Sequence, residues 1–140
     1  MLRVTCDTNI IISALNFAGN PARILDMAAD GDIRLAVSDD ILNEVERVLR
    51  RPKFGWPQER IDAAIRQISS FAEHVEPTHR IEIIKEDPTD NRIVECAAAS
   101  GSEYLVSGDK HLLKIGQYQG VRIVPPADFL RVIEKERHGR

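Results

Sequence analysis

Short apolar runs in this chain alternate with longer stretches whose apolar residues recur at helical spacing, and that alternation constrains the fold more than anything else. Runs of three or four apolar or β-branched residues suit buried strands, and the longer amphipathic stretches suit helices packed on them. A chain that repeats strand and helix in turn lays its strands parallel, because each helix carries it back to where the next strand begins. The expected fold class is α/β with a mostly parallel, five-stranded central sheet. Its strands are expected at residues 3–6, 34–37, 82–84, 104–106 and 122–124.

The helices have clearer boundaries. Asn20-Pro21 opens one over 22–29, with proline near the first helical position. Over 39–50, Ile41, Leu42, Val45, Val48 and Leu49 share a face, and over 59–72 so do Ile61, Ile65, Ile68 and Phe71. Ile93, Val94, Ala97 and Ala98 form the stripe of a helix over 89–100, and Gly101 stands where it stops. Pro125-Pro126 opens the last helix, with Phe129, Leu130, Val132 and Ile133 on its face.

At 140 residues and 43% hydrophobic content, the chain is expected to form one domain over residues 1–140, frayed at 137–140. No apolar run approaches the ~20 residues that span a bilayer. The N-terminus meets Asp7 too early for a signal peptide, so a soluble, cytoplasmic protein is expected. Cys6 and Cys96 form no C-x-x-C pair and read as buried, reduced thiols. With 22 acidic and 19 basic residues the net charge is −3, which argues against a simple basic nucleic-acid-binding module. It leaves room for a nucleic-acid enzyme with a local basic patch.

The acids carry the chemistry. In an open parallel sheet, ligands bind beyond the carboxyl ends of the strands. Asp7 follows the first strand and Asp109 the fourth, while Asp90 opens the helix over 89–100 and Glu44 lies in the second turn of the helix over 39–50. Four segments thus bring acids to one edge. Asp7 also suits a helix N-cap, and Asp87, in Asp87-Pro88-Thr89-Asp90, is read as one. Asp90 sits on the apolar arc of its helix between Ile93, Val94 and Ala97, where a lone carboxylate is costly unless paired or bound to metal. Glu44 and Glu46 lie on opposite margins of their helix's apolar arc, and periodicity does not choose between them. Converging carboxylates repel, and a hard divalent cation such as Mg2+ or Mn2+, one ion or two, removes the conflict.

The order Asp7-Thr8-Asn9, Glu44, Asp87-Pro88-Thr89-Asp90-Asn91 and Ser107-Gly108-Asp109 resembles the PIN-domain family, in particular the VapC-like ribonucleases of toxin–antitoxin pairs. Arg51-Pro52-Lys53-Phe54 is similar to one branch of those toxins, and the resemblance runs from Leu2 to about Val132. It implies a three-layer α/β/α sandwich, dependence on Mg2+ or Mn2+, and cleavage of single-stranded RNA. It further implies Asp7, Glu44, Asp90 and Asp109 as the catalytic, metal-binding acids, which selects Glu44 over Glu46, with Asn9 and Ser107 in support. Partners implied by it are a small antitoxin and a second copy of the chain.

Arg50, Arg51, Lys53, Arg92 and Lys110 are candidates for phosphate contact, against the alternative of a solvated surface run. His111 and Trp56 are weaker candidates for substrate contact; for Trp56, core filling or an interface competes. Three other readings are weighed. A haloacid-dehalogenase-type phosphatase would use Asp7 as nucleophile, but it wants an acid where Asn9 stands and a cation for which Lys85 is the nearby choice. A response-regulator-like domain wants an acidic pair after the first strand, which is lacking. The non-enzyme alternative is a PIN-like module that binds RNA or a partner without cutting.

Overall fold

The computed structural model describes residues 1–138, with side chains to residue 136. The tail expected to fray, 137–140, lies at and beyond that limit. Strands β1 (Arg3–Cys6), β2 (Arg34–Val37), β3 (Glu73–His74), β4 (Tyr104–Val106), β5 (Gln117–Tyr118) and β6 (Val121–Val124) form one sheet. Their spatial order is β3-β2-β1-β4-β6-β5, parallel throughout except for the β5–β6 pair. The helices are α1 (Thr8–Asn16), α2 (Asn20–Ala29), α3 (Asp39–Leu49), α4 (Gln58–Phe71), α5 (Pro88–Ser100), α6 (Lys110–Ile115) and α7 (Pro126–His138). Among the described residues no helix is long and apolar enough to cross a membrane.

The central strands are apolar on both faces because helices cover them. Val4, Leu35, Val37, Leu105 and Val106 are all buried, as expected for a parallel sheet enclosed in an α/β fold. Helix α5 packs on β1, β2 and β4, and α7 packs on β4, where Phe129 meets Tyr104 edge-to-face at 5.7 Å between ring centroids. Helix α1 forms in spite of the β-branched run Ile10-Ile11-Ile12, whose stiff side chains disfavour a helix. Its N-terminus is capped by Asp7, and all three isoleucines are buried.

The sheet departs from expectation at both edges. Residues 82–84 form no strand: the backbone there bonds to side chains of α5 instead. Asn91 Oδ1 accepts from the N–H groups of Ile83 (3.1 Å) and Ile84 (2.9 Å), and Asn91 Nδ2 donates to Ile84 O (2.8 Å). Glu95 accepts from Ile81 N at 2.7 Å. The edge position belongs to β3, only two residues long, whose Glu73 is held by Arg3 and Arg34. At the other edge β5 turns back onto β6 through Gln119 (φ 47°) and Gly120 (φ 83°). Two positive φ values in a two-residue loop suit the twist of a hairpin. The sheet therefore has six strands, not five.

This topology fixes where a ligand can sit. From β1 the chain steps outward to β2 and β3, and β4 then returns to the other flank of β1. The strand order reverses between β1 and β4, and the crevice beyond their carboxyl ends is the natural binding place in such a sheet.

Candidate active site

Asp7 and Asp109 flank that crevice. Cys6 pairs with Val106 in the β1–β4 register, and the ladder continues one step further through Asp7 N donating to Val106 O at 3.0 Å. Asp7 is buried, with Oδ1 accepting from Ile10 N at 2.8 Å and Oδ2 accepting a hydrogen bond from Ser107 Oγ. The two readings of Asp7 are thus not exclusive, since it caps α1 and also faces the cleft. Ser107, fully buried, accepts from Asp109 N at 2.9 Å while donating to Asp7, and so ties the two loops together. Asp109 caps α6 by accepting from His111 N at 2.7 Å.

Helix α5 delivers Asp90 from the opposite wall. Only 9% of it is exposed, and its Oδ2 has no hydrogen-bond partner among the described residues. Asp87 caps α5, accepting from Thr89 N (3.0 Å) and Thr89 Oγ1 (2.6 Å), and lines the same cleft. Glu44 comes from α3, its carboxylate taken up by Arg47. Asp7, Glu44, Asp87 and Asp90 line one cleft of about 290 Å3 together with Asn9 and Arg51. Asp109 stands close enough to Asp7 and Asp90 to raise the pKa of each.

The electrostatics are those of unneutralised crowding. Burial, and then Asp109, push the Asp7 carboxyl above its ordinary value, against the pull of hydrogen bonds from Ser107, Ile10 and Asn9. Asp90 is pushed up to about 7, by burial first and then by Asp109, Asp87 and Asp7. Among the described residues no three His, Cys, Asp or Glu side chains already stand in an arrangement that holds a metal ion. Two of the acids are drawn elsewhere, Glu44 to Arg47 and Asp109 to the start of α6. The donor set nevertheless fits a hard divalent cation: it is all oxygen, strongly anionic, and includes a buried oxygen without a partner.

The family model of the PIN domain matches residues 3–111, a span that includes all of these acids. The chain belongs to the PIN domain family. Its fold is similar to a chain in the crystal structure of VapBC2 from Rickettsia felis bound to a DNA fragment from their promoter. That match has a TM-score of 0.62 and 16% identity, covering 87% of this chain and 97% of that one. A chain of DNA-bound VapBC from Salmonella typhimurium is similar with a TM-score of 0.58 and 20% identity, covering 90% and 99%. Among curated proteins none matches the sequence.

In this PIN domain the basic residues divide by what they touch. Arg51 lines the acid cleft, and Lys53 lines a groove beside it. Arg92 turns toward the loop before α5, with Nη2 donating to Ile81 O at 3.2 Å and pairing with Glu95 at 3.3 Å. Lys110 opens α6 and is exposed beside Asp109. Arg50 is occupied by Glu46 (2.8 Å) and Gln58 (3.1 Å). Trp56 Nε1 donates to Asn16 Oδ1 at 3.1 Å, and Arg60 lies 3.7 Å over its ring, so Trp56 has a structural place. Lys85 is not among the residues lining the cleft, which weakens the phosphatase reading.

Arg47 escaped the sequence analysis. It lines the acid cleft and lies three residues after Glu44, one helical turn on, a spacing that brings the two side chains together. Cys6 and Cys96 are buried free thiols, and burial pushes Cys96 up to about 12.

Proposed function

We propose that this PIN domain is a divalent-metal-dependent endoribonuclease that cuts single-stranded RNA, and that it is the toxin of a toxin–antitoxin pair. One observation carries the reading most: Asp90 presents a buried, unpartnered carboxylate oxygen to a cleft already lined by Asp7, Glu44 and Asp87. A protein keeps such an arrangement against its own electrostatic cost where a cation completes it.

Asp7, Glu44, Asp90 and Asp109 would hold Mg2+ or Mn2+, as one ion or two. Held by these residues, such a cation would provide for activation of the attacking water and for neutralisation of charge on the leaving oxygen. The remaining work falls to the chain itself. Ser107 holds Asp7 and the Asp109 loop in register. The Asn9 backbone N–H supports the Asp7 carboxylate, and its side chain lines the cleft. The guanidinium groups of Arg47 and Arg51, lining the same cleft, suit fork-like contact with a phosphate.

Similarity in fold to chains of VapBC structures supports a small protein antitoxin as partner. A homodimer in the cytoplasm belongs to the same proposal. The test is cleavage of a labelled single-stranded RNA by purified protein with Mg2+ or Mn2+, with EDTA, and by Asp7→Asn and Asp90→Asn. Metal-dependent cutting that either substitution abolishes is expected. Activity that survives EDTA and both substitutions would sink the reading.

A further inference from the structure

Beside the acid cleft lies a second groove of about 510 Å3 that shares Asn9, Val48 and Arg51 with it. A strand leaving the acids past Arg51 therefore enters this groove directly. Phe17, one of its walls, follows α1 in extended conformation, with its N–H donating to Ser13 O at 2.9 Å. Its ring is left outside the core, at 69% exposure, whereas among the described residues Met1 and Ile83 alone join it as large apolar side chains that are exposed rather than buried or half-buried. Phe54 forms another wall and carries the Lys53 ammonium 5.1 Å from its ring centroid.

The charges around the groove are unevenly spent. Arg47 and Arg50, on the neighbouring helix, are paired with Glu44 and Glu46. Arg51 and Lys53 form no ion pair with any described residue. An exposed aromatic face flanked by two uncompensated cations is how proteins hold single-stranded nucleic acid, with bases stacked and phosphates paired. An apolar peptide would use the aromatic wall and leave both cations unanswered.

We infer that this groove is a nucleobase subsite of the RNA-binding path, in which Phe17 stacks on a base next to the cut and Arg51 and Lys53 meet the flanking phosphates. The inference rests on the nuclease reading for its substrate, and it assigns Phe17 and Lys53 a part in binding rather than in bond cleavage.

The test is fluorescence anisotropy of a 5′-fluorescein-labelled, twelve-nucleotide single-stranded RNA with the full chain in EDTA, where nothing is cut. Phe17→Ala and Phe17→Leu should each raise Kd at least about fivefold, the lower end of what one base–aromatic stack contributes. Phe17→Trp should bind as wild type or tighter, and Lys53→Gln should flatten the salt dependence of Kd. Unchanged affinity for Phe17→Ala overturns the inference. So does wild-type affinity for Phe17→Leu, which would assign the groove to apolar contact with a protein. Parallel cleavage assays in Mg2+ separate the two proposals. Cutting by wild type with RNA affinity indifferent to Phe17 removes the subsite alone. Phe17-dependent binding without any cutting removes the nuclease reading and leaves the subsite. Absence of RNA binding by the wild type removes both.

Discussion

Arg47 grips Glu44 through two arms of its guanidinium, Nε to Oε2 at 2.9 Å and Nη2 to Oε1 at 2.6 Å. The pair places a positive charge where the acid cleft would accept a cation. Metal binding through Glu44 must therefore compete with Arg47. The side chain of Arg47 is largely exposed, so the competition is weak. Arg47→Ala is expected to bind Mn2+ slightly more tightly, by about twofold. It should also raise KM for RNA by removing a phosphate contact. Calorimetric titration with Mn2+ and steady-state cleavage measure the two effects separately, and a loss of Mn2+ affinity would contradict the competition.

Asp90 gives a pH dependence whose sign is fixed. Its carboxyl is raised from 3.8 to about 7 in the fold, so the folded chain holds this proton more tightly than the unfolded one. Below the lower value both states are protonated and the site costs nothing. As pH rises from about 4 toward 7 the unfolded state gives up its proton first, and stability falls. In EDTA, Tm should therefore decline across this window. Asp90→Asn should flatten the decline and raise Tm at pH 8 while abolishing cleavage. A parallel decline in wild type and variant would mean that Asp90 is not the responsible group.

Ser107 links Asp7 to Asp109 N through one hydroxyl. Ser107→Ala leaves Asp7 Oδ2 buried without that donor, and an orphaned buried polar group costs about 1–3 kcal/mol. Urea denaturation should show a loss of that size, and cleavage should fall because the two acids are no longer held in register. Stability and activity both equal to wild type would show that the link does not matter.

Asn91 satisfies three backbone groups of Ile83 and Ile84. Asn91→Ala should loosen the segment leading into Asp87 and Asp90, so amide hydrogen exchange should quicken at Ile83 and Ile84 before it does in the central strands. Protection unchanged at those amides would mean that the tie is dispensable.

The same residues explain what was legible in the sequence. Four strands and the helical stripes could be read because burial on a sheet or helix face leaves a local period. Asp7 and Asp109 followed from strand ends, and Asp90 from a charge on an apolar arc. Residues 82–84 carry the apolar, β-branched composition of a strand, but their hydrogen bonds go to Asn91 and Glu95, a long-range fact that no local period records. Conversely β3, made of Glu73 and His74, has no strand composition and is held by Arg3 and Arg34. Glu44 could not be told from Glu46 by periodicity. In the structure both are paired to arginines, yet only Glu44 lines the acid cleft. Asp87 fits the cap that was expected, and its place in the cleft with Asp90 is a tertiary fact that the capping pattern does not contain.

The central claim is that the crowded carboxylates around Asp90 form a divalent-cation site. Its most direct test is Mn2+ binding by the purified chain at pH 7.5, followed by electron paramagnetic resonance, with wild type and Asp90→Asn compared. Saturable binding of one or two ions by the wild type is expected, with a loss of at least about tenfold in affinity in the variant, as for substitution of a metal-site residue. Wild-type protein that binds no Mn2+, or a variant that binds it equally well, would contradict the claim.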